Sequence, residues 1–238
     1  MSAKLILTGK QAILAVWIVF VFSVVIRLPQ LFHPMAHHYE SITALELVAM
    51  ESWKQAGGPS TFYGLPPVNY QQSGDKQLPN SIDIDAGGNQ VYISYGSLWN
   101  LAPYYIFSWL HISPGPIPLR LLNICIGLLS CIIVFKLALL LSADNALKYT
   151  SASIASAVFV LAPANLWFFS NVYVNCGFAI PLLLAFIYLI VKMTTQTSGI
   201  SFQGLLILLL ITVSLFLTDW IACFIVATSL FIILLNIK

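Results

Sequence analysis

One polar stretch, His33–Gly58, carries the side chains in this sequence that could do chemistry. Three of the four histidines and three of the eight acids of the chain lie in it: His33, His37, His38, Glu40, Glu46 and Glu51. The stretch directly follows the first long apolar run. Polar and ionisable groups beside a bilayer are costly, and they mark functional sites by default.

Glu40 is the strongest candidate for a catalytic residue. It stands at the start of a predicted helix, just beyond the first apolar run. A carboxylate in that position could accept a proton from a bound hydroxyl group. The alternative is that its charge only complements the N-terminus of the helix.

The adjacent histidines His37 and His38 are candidates for substrate binding. Neighbouring side chains diverge in most backbones, so a metal site here would need further ligands, with Glu40 or His33 the nearest. The ligand spacing of known metal sites is absent. The sequence therefore identifies no cofactor and leaves a divalent metal open. The alternative is that both histidines are only polar residues at the membrane interface.

Two arginines, Arg27 and Arg120, are candidates for binding a phosphate group. Arg27 ends the first apolar run, and Arg120 begins the run that follows the polar region. A guanidinium group holds a phosphate through two parallel hydrogen bonds. The alternative is that both side chains anchor their helices at the interface while their charged ends reach for water.

An aromatic segment before Arg120 contains Tyr95, another candidate for substrate binding. Its rings could form a platform on which a sugar stacks: Tyr92, Tyr95, Trp99, Tyr104, Tyr105 and Trp109. A belt of aromatic residues at the membrane–water interface is the other interpretation.

The composition predicts an integral membrane protein. Of the 238 residues, 59% are hydrophobic and 8% are charged, whereas a soluble domain carries roughly 25% charged residues. With a net charge of +2 and no cluster of basic residues, no nucleic-acid partner is expected. The expected partner is the lipid bilayer. The four cysteines lie in or beside apolar runs, and we expect free, buried thiols.

The first element that must position the polar stretch is a span over residues 5–27. At about 1.5 Å per residue, a helix of this length covers the ~30 Å of hydrocarbon in a bilayer. A signal peptide is the alternative interpretation, because Lys4 and Lys10 precede the apolar core.

Residues 28–117 predict one large extracytoplasmic loop with two amphipathic juxtamembrane helices, 41–55 and 97–111. The first has apolar residues at helical spacing, which would lie flat on the membrane: Ile42, Leu45, Ala49 and Trp53. Thr43 and Glu46 fit a capping box for it. The second is ambiguous, because its aromatic residues suit either a span or the interface.

Residues 118–238 predict the remaining spans. The last apolar run, 202–236, would reach about 52 Å as one helix, so we expect a break near Thr218–Trp220. Asp219 in that break is expected at the outer surface, as a turn residue. The sequence thus predicts a single all-α polytopic domain over residues 1–238, with about six transmembrane helices.

The lysines indicate which side of the membrane the loop faces. With 97–111 on the surface, six lysines fall on the side opposite the loop: Lys4, Lys10, Lys136, Lys148, Lys192 and Lys238. The positive-inside rule then predicts a cytosolic N-terminus and an outward-facing loop.

Several of these patterns together resemble the GT-C membrane glycosyltransferases, which include protein O-mannosyltransferases and aminoarabinose transferases. A first span ends in RLP, followed by an acidic motif that opens a helix, HHYESITALELVAMESWKQAGGP. The aromatic segment YISYGSLWNLAPYY and the run PLRLLNICIGLL follow, and TDW stands near the end. The resemblance extends over nearly the whole chain.

The resemblance implies transfer of a sugar from a polyprenyl-phosphate donor to an unidentified acceptor, outside a bacterial inner membrane. Glu40 would be the base, and Arg27 and Arg120 would bind the donor phosphate. Where many members carry a second acid in the next outer loop, this chain has Asn171 and Asn175. The open alternatives are the N-terminal part of a longer enzyme, an inactive relative, and a non-catalytic membrane subunit that binds lipid-linked glycans.

Overall fold

The chain folds into a bundle of apolar helices with a smaller helical and stranded region at one end. The computed structural model describes residues 6–35, 40–69, 82–84, 90–195, 201–220 and 223–229. In chain order, the bundle contains these helices: α1, Gly9–Leu31; α4, Pro116–Leu141; α5, Lys148–Leu161; α6, Pro163–Asn171; α7, Asn175–Thr195; α8, Phe202–Phe216. Helix α4 is central and packs on α1, α5, α6 and α7.

Among the described residues, three helices are long and apolar enough to cross a membrane: α1, α4 and α7. Helices α5 and α6 meet at a 59° bend after Leu161 and count as a fourth span if the pair is one broken helix. Pro163 begins α6 and supplies no backbone N–H to continue α5. These helices confirm a helical membrane protein. They do not confirm six spans.

The last apolar run does break where the sequence predicts. Helix α8 ends at Phe216, a turn covers residues 217–220, and helical residues resume at 223–229. Since α8 has 15 residues, it covers about 22 Å, less than the ~30 Å of hydrocarbon. Helix α8 therefore does not count as one of the spans found among the described residues.

The two ends of the bundle differ in charge. We call one the loop end, formed by the last turn of α1 and the first turns of α4 and α7. We call the other the lysine end, because four lysines lie there. They are near the start of α1 and α5, within two turns of the end of α4, and in the last turn of α7: Lys10, Lys148, Lys136 and Lys192. At the lysine end, Leu7 N–H donates a hydrogen bond to Thr150 Oγ1 at 3.1 Å. This bond holds the starts of α1 and α5 together.

The region between α1 and α4 sits on the loop end. It contains helix α2, Glu40–Gln55; a 3₁₀ turn, Pro59–Phe62; three short strands; and helix α3, Leu98–Trp109. The strands form an antiparallel sheet in the order β1–β3–β2: β1, Pro67–Asn69; β2, Ile82–Ile84; β3, Gln90–Tyr92. At 12 residues, α3 reaches only about 18 Å and is too short to span.

Helix α2 has nearly the predicted limits but a different buried face. It begins at Glu40, so Thr43 and Glu46 lie inside the helix and do not form the predicted capping box. Its buried side chains include Glu40, Thr43 and Glu46 as well as Ala49 and Trp53. Periodicity correctly predicts an amphipathic helix. It does not reveal that this helix packs on α3, α4 and β1.

The cysteines and the aromatic segment also differ from expectation. All four cysteines are free, but only Cys131 is buried; Cys125, Cys176 and Cys223 are exposed. The aromatic side chains of the segment differ in exposure. Trp99 is buried and stacks on Tyr173 with a centroid distance of 6.1 Å, whereas Trp109 is 79% exposed.

A close backbone contact joins the region before α3 to the turn after α8. Leu98 N–H donates to Leu217 C=O at 2.9 Å. A Cβ atom on Gly96 would lie 2.1 Å from the same carbonyl oxygen. Only glycine fits here, and α3 is thereby fixed to the end of α8.

The substitution Gly96→Ala is therefore expected to destabilise the fold by about 1–3 kcal/mol or more, the usual cost of overpacking. The matched control is Gly115→Ala, where the nearest atom to an added Cβ would be Pro118 Cδ at an ordinary 3.6 Å. Thermal unfolding of both variants in detergent checks the difference. Equal midpoints would show that the contact between Gly96 and Leu217 is not tight.

Candidate functional site

The centre of the candidate site is a buried ion pair between Glu40 and Arg120. Arg120 Nη2 donates to Glu40 Oε1 at 3.0 Å, and the two side chains are 1% and 2% exposed. Glu40 is the first residue of α2, and Arg120 lies in the second turn of α4. The structure thus brings together two of the predicted site residues, which are 80 positions apart in sequence.

Arg120 also fastens the end of α1. Its Nη1 donates to two backbone carbonyls, Leu31 C=O at 3.0 Å and His33 C=O at 2.6 Å. A cation at a helix C-terminus is favourable because the last carbonyls have no partner within the helix. One guanidinium group therefore joins the end of α1, the start of α2 and the start of α4.

Arg27 lies one helical turn before Leu31 on α1, but it bonds to other groups. Its Nη1 donates to Ser23 Oγ at 3.0 Å, and its Nη2 donates to Asn165 C=O at 3.4 Å. In both Arg27 and Arg120 the Nε–H is buried without a hydrogen-bond partner among the described residues. Each arginine thus has one N–H group near the loop end that could donate a further hydrogen bond.

Glu46 is a buried acid that the sequence analysis assigned to a capping box and not to the candidate site. It is fully buried on α2, and Asn100 Nδ2 of α3 donates to its Oε2. Burial raises the pKa of Glu46 to about 8, and the hydrogen bond from Asn100 offsets only part of this rise. At neutral pH the side chain is therefore mostly a neutral acid. Glu40, Thr43 and Glu46 follow one another at intervals of three residues. This spacing could have indicated that the three side chains lie on the same side of the helix.

Helix α2 is clamped to the segment between α6 and α7. Tyr173 N–H donates to Thr43 Oγ1 at 2.9 Å, and Tyr173 Oη donates to Trp99 C=O at 2.7 Å. Burial, and in smaller part the nearby Glu46, raises the pKa of Tyr173 well above its ordinary value. The clamp holds Glu40, one turn before Thr43, against the bundle.

A second polar cluster lies where α7 begins and α8 ends. Asn175 Nδ2 donates to Asp219 Oδ2 at 2.7 Å, and Cys176 Sγ lies 3.7 Å from the same oxygen. Asp219 stands in the predicted turn, but its side chain is only 4% exposed. The expected solvent-facing turn residue is thus a buried, hydrogen-bonded acid.

Tyr95 is close enough to this second cluster for Asp219 and Cys176 to affect its pKa. Burial raises the pKa of Tyr95, with further contributions from Cys176 and Asp219, so its phenol lies within electrostatic range of both. Its ring is 6.1 Å from that of Tyr92.

His37 and His38 lie outside the described residues. Among the residues that the structure does describe, no three histidine, cysteine or acidic side chains group closely enough to hold a metal ion. The site that the structure assembles is therefore built from carboxylates, guanidinium groups and amides.

Comparison with known proteins assigns no family. No family model matches the sequence, and no curated protein and no solved structure matches the chain. The resemblance to the GT-C glycosyltransferases therefore stays a prediction from the motifs.

Proposed function

We propose that the protein transfers a sugar from a polyprenyl-phosphate donor to an acceptor at the loop end of the bundle. The observation that carries this proposal is the buried pair of Glu40 and Arg120, 3.0 Å apart at the end of the apolar helices. It puts a carboxylate that can take a proton beside a cation that can bind a phosphate.

The two side chains then have defined roles. The donor phosphate would displace Glu40 from Arg120. It would accept hydrogen bonds from the Nε–H groups of Arg120 and Arg27, which have no partner among the described residues. Glu40, released from its partner, would remove the proton of the acceptor hydroxyl. The acceptor oxygen attacks the anomeric carbon, and the bond from that carbon to the phosphate oxygen breaks. Polyprenyl phosphate leaves with the bonding electrons, and the positive charge of the arginines stabilises it.

The distribution of lysines supports an outward-facing site. Four lysines lie at the lysine end, away from Glu40: Lys10, Lys136, Lys148 and Lys192. By the positive-inside rule this end is cytosolic, and the loop end faces the outer side of the membrane, which we propose is a bacterial inner membrane.

The test is sugar transfer in proteoliposomes that contain the purified chain and radiolabelled polyprenyl-phosphate hexose or pentose. Loss of label from the lipid donor is measured with a cell-envelope extract as the source of acceptor. Glu40→Gln is expected to lower the rate about 100- to 10,000-fold, the usual contribution of a general base. Glu51→Gln is the matched control, because Glu51 lies on the same helix but is exposed.

Undiminished transfer by a folded Glu40→Gln protein would contradict the assigned base. A thermal midpoint measured on each variant shows that the comparison is between folded proteins.

A second candidate function is that of a non-catalytic membrane subunit that binds lipid-linked glycans. It is favoured by the engagement of Arg120, whose two Nη groups both bond within the chain, and by the burial of Glu40. Wild-type protein that retains the labelled donor through gel filtration but consumes none of it would support this function against the first.

A further inference from the structure

A cleft with two basic side chains lies at the loop end, between the end of α2 and the segment that leads into α4. Its volume is about 290 Å³. Lys54 reaches it from the last turn of α2, and His111 reaches it from the residues between α3 and α4. The hydroxyl groups of Tyr104, Ser108 and Ser113 belong to side chains that also line the cleft.

The charges around the cleft favour an anion. Lys54 carries a positive charge, and it forms no ion pair with any of the described residues. Glu51, one turn earlier on α2, instead accepts a hydrogen bond from Gln55 Nε2 at 3.1 Å. The described residues that line the cleft include no acid. An anion bound there would therefore meet Lys54 and His111 without an opposing carboxylate.

The backbone at the end of α3 fixes the position of His111. Its φ of 55° lies in the left-handed region, and the next N–H, that of Ile112, donates to Phe107 C=O at 2.9 Å. Glycine is the usual residue at such a position after a helix, because it has no Cβ to strain. The chain has a histidine there instead, and its ring is held at the cleft.

The cleft lies at the depth of lipid head groups. Helix α4 begins at Pro116 and is long and apolar enough to cross a membrane, so the residues just before it lie at the membrane surface. Trp109 is exposed there, as expected of an aromatic side chain at the interface. Neighbouring apolar side chains are exposed as well: Tyr105, Ile106, Leu110, Ile112 and Ile117. The acyl chains of a lipid would thus have an apolar surface beside the cleft.

The size and the donors of the cleft suit a phosphate group. At about 290 Å³, it has about twice the volume of a cavity that holds benzene, which is enough for a phosphate and the first atoms of its ester substituent. An ammonium group binds phosphate as a point charge, and hydroxyl groups can donate to the remaining oxygens. A whole lipid would not fit, so its chains would lie outside the cleft.

We propose that this cleft binds the phosphate of an anionic membrane lipid. Lys54 and His111 donate to the phosphate oxygens, and the acyl chains lie against the exposed apolar residues around Trp109. The bound lipid ties the ends of α2 and α3 to the bilayer. This site is independent of the proposed sugar transfer, because neither Glu40 nor Arg120 lines the cleft.

The experiment measures how fast an uncharged N-hydroxysuccinimide ester acetylates Lys54 in nanodiscs, read by peptide mass spectrometry. Phosphatidylcholine nanodiscs are compared with nanodiscs that also contain phosphatidylglycerol, and inorganic phosphate is added to phosphatidylcholine nanodiscs in a third arm. Phosphatidylglycerol is expected to slow the acetylation of Lys54 about tenfold when most sites are occupied, because an amine held on a phosphate is a poor nucleophile. Lys136, exposed at the lysine end, is the internal control and is expected to change little.

The other two arms are expected to protect Lys54 little. The ammonium group of phosphatidylcholine is repelled by the two basic side chains, and inorganic phosphate has no acyl chains to hold it at the apolar surface.

Two variants test the cleft itself. Ser108→Phe fills the cleft and keeps both basic side chains, so it is expected to abolish the protection by phosphatidylglycerol. Ser151→Phe is its matched control, because Ser151 is exposed on α5 at the lysine end. His111→Gly suits the left-handed backbone and removes the imidazole. It is expected to weaken binding about tenfold, since a hydrogen bond to a charged group is worth about that much in affinity.

The site is wrong if phosphatidylglycerol protects Lys54 no better than phosphatidylcholine. Unchanged protection in Ser108→Phe would also contradict it, because the negative surface of the bilayer would then be slowing the reaction without the cleft. Equal protection by inorganic phosphate would mean that the occupant is a free anion and not a lipid, and unchanged protection in His111→Gly would remove His111 from the site. The labelling requires no turnover, so its outcome does not depend on whether the protein transfers a sugar.

Discussion

Replacing Arg120 by methionine is expected to destabilise the folded chain by about 3–5 kcal/mol, the usual cost of removing one partner of a buried ion pair. The cost is high because Arg120 donates to three acceptors: the carboxylate of Glu40 and the carbonyls of Leu31 and His33. The Glu40 charge would stay 2% exposed without its cation. Equilibrium unfolding in detergent, followed by circular dichroism, measures the loss.

A double-mutant cycle separates the ion pair from the capping of α1. Glu40→Gln with Arg120→Met leaves no unpaired charge and is expected to be more stable than Arg120→Met alone. Lys54→Met, at an exposed position on α2, is the control and is expected to change stability by no more than about 0.5 kcal/mol. A loss at Arg120 as small as that at Lys54 would show that the pair does not hold α1, α2 and α4 together.

Glu46→Gln is expected to stabilise the protein at neutral pH and to flatten its dependence on pH. In the folded protein the pKa of Glu46 is raised from 4.5 to about 8 by burial. Between these two values the unfolded chain releases the proton and the folded chain retains it. The unfolded state thus binds fewer protons, and stability falls as pH rises from about 4.5 to about 8.

Glutamine has nearly the same shape and no proton to lose, so the variant lacks this decline. The gain at pH 7 is expected to be on the order of 3 kcal/mol, and at pH 4 the two proteins should be nearly equal. Unfolding free energies measured at intervals from pH 4 to pH 9 give both curves. The control is Glu51→Gln, because Glu51 is exposed on the same helix, and this variant should follow the wild-type curve. Parallel curves for Glu46→Gln and wild type would mean that Glu46 titrates normally in the folded protein.

The elements of the fold were largely predictable, because they depend on local properties of the chain. An apolar run of sufficient length predicted α1, and the remaining spans were predicted after residue 117, where α4 and α7 lie. Helical spacing predicted α2 to within one residue of its start. The excess length of the last run predicted the break at Thr218–Trp220. The short strands between α2 and α3 were interpreted as loop, since three-residue segments show too little alternation to be recognised.

The partners of the polar side chains were decided only by the tertiary structure. Glu40 and Arg120 were each singled out by their position beside a span, but nothing local shows that they form a pair. Glu46 was assigned to a capping box, and Asp219 to a surface turn; both are buried. Hydropathy and periodicity predict whether each segment is a span, a surface helix or a loop. The charge and burial of a side chain depend instead on which helix ends meet. That is determined by packing among residues far apart in sequence.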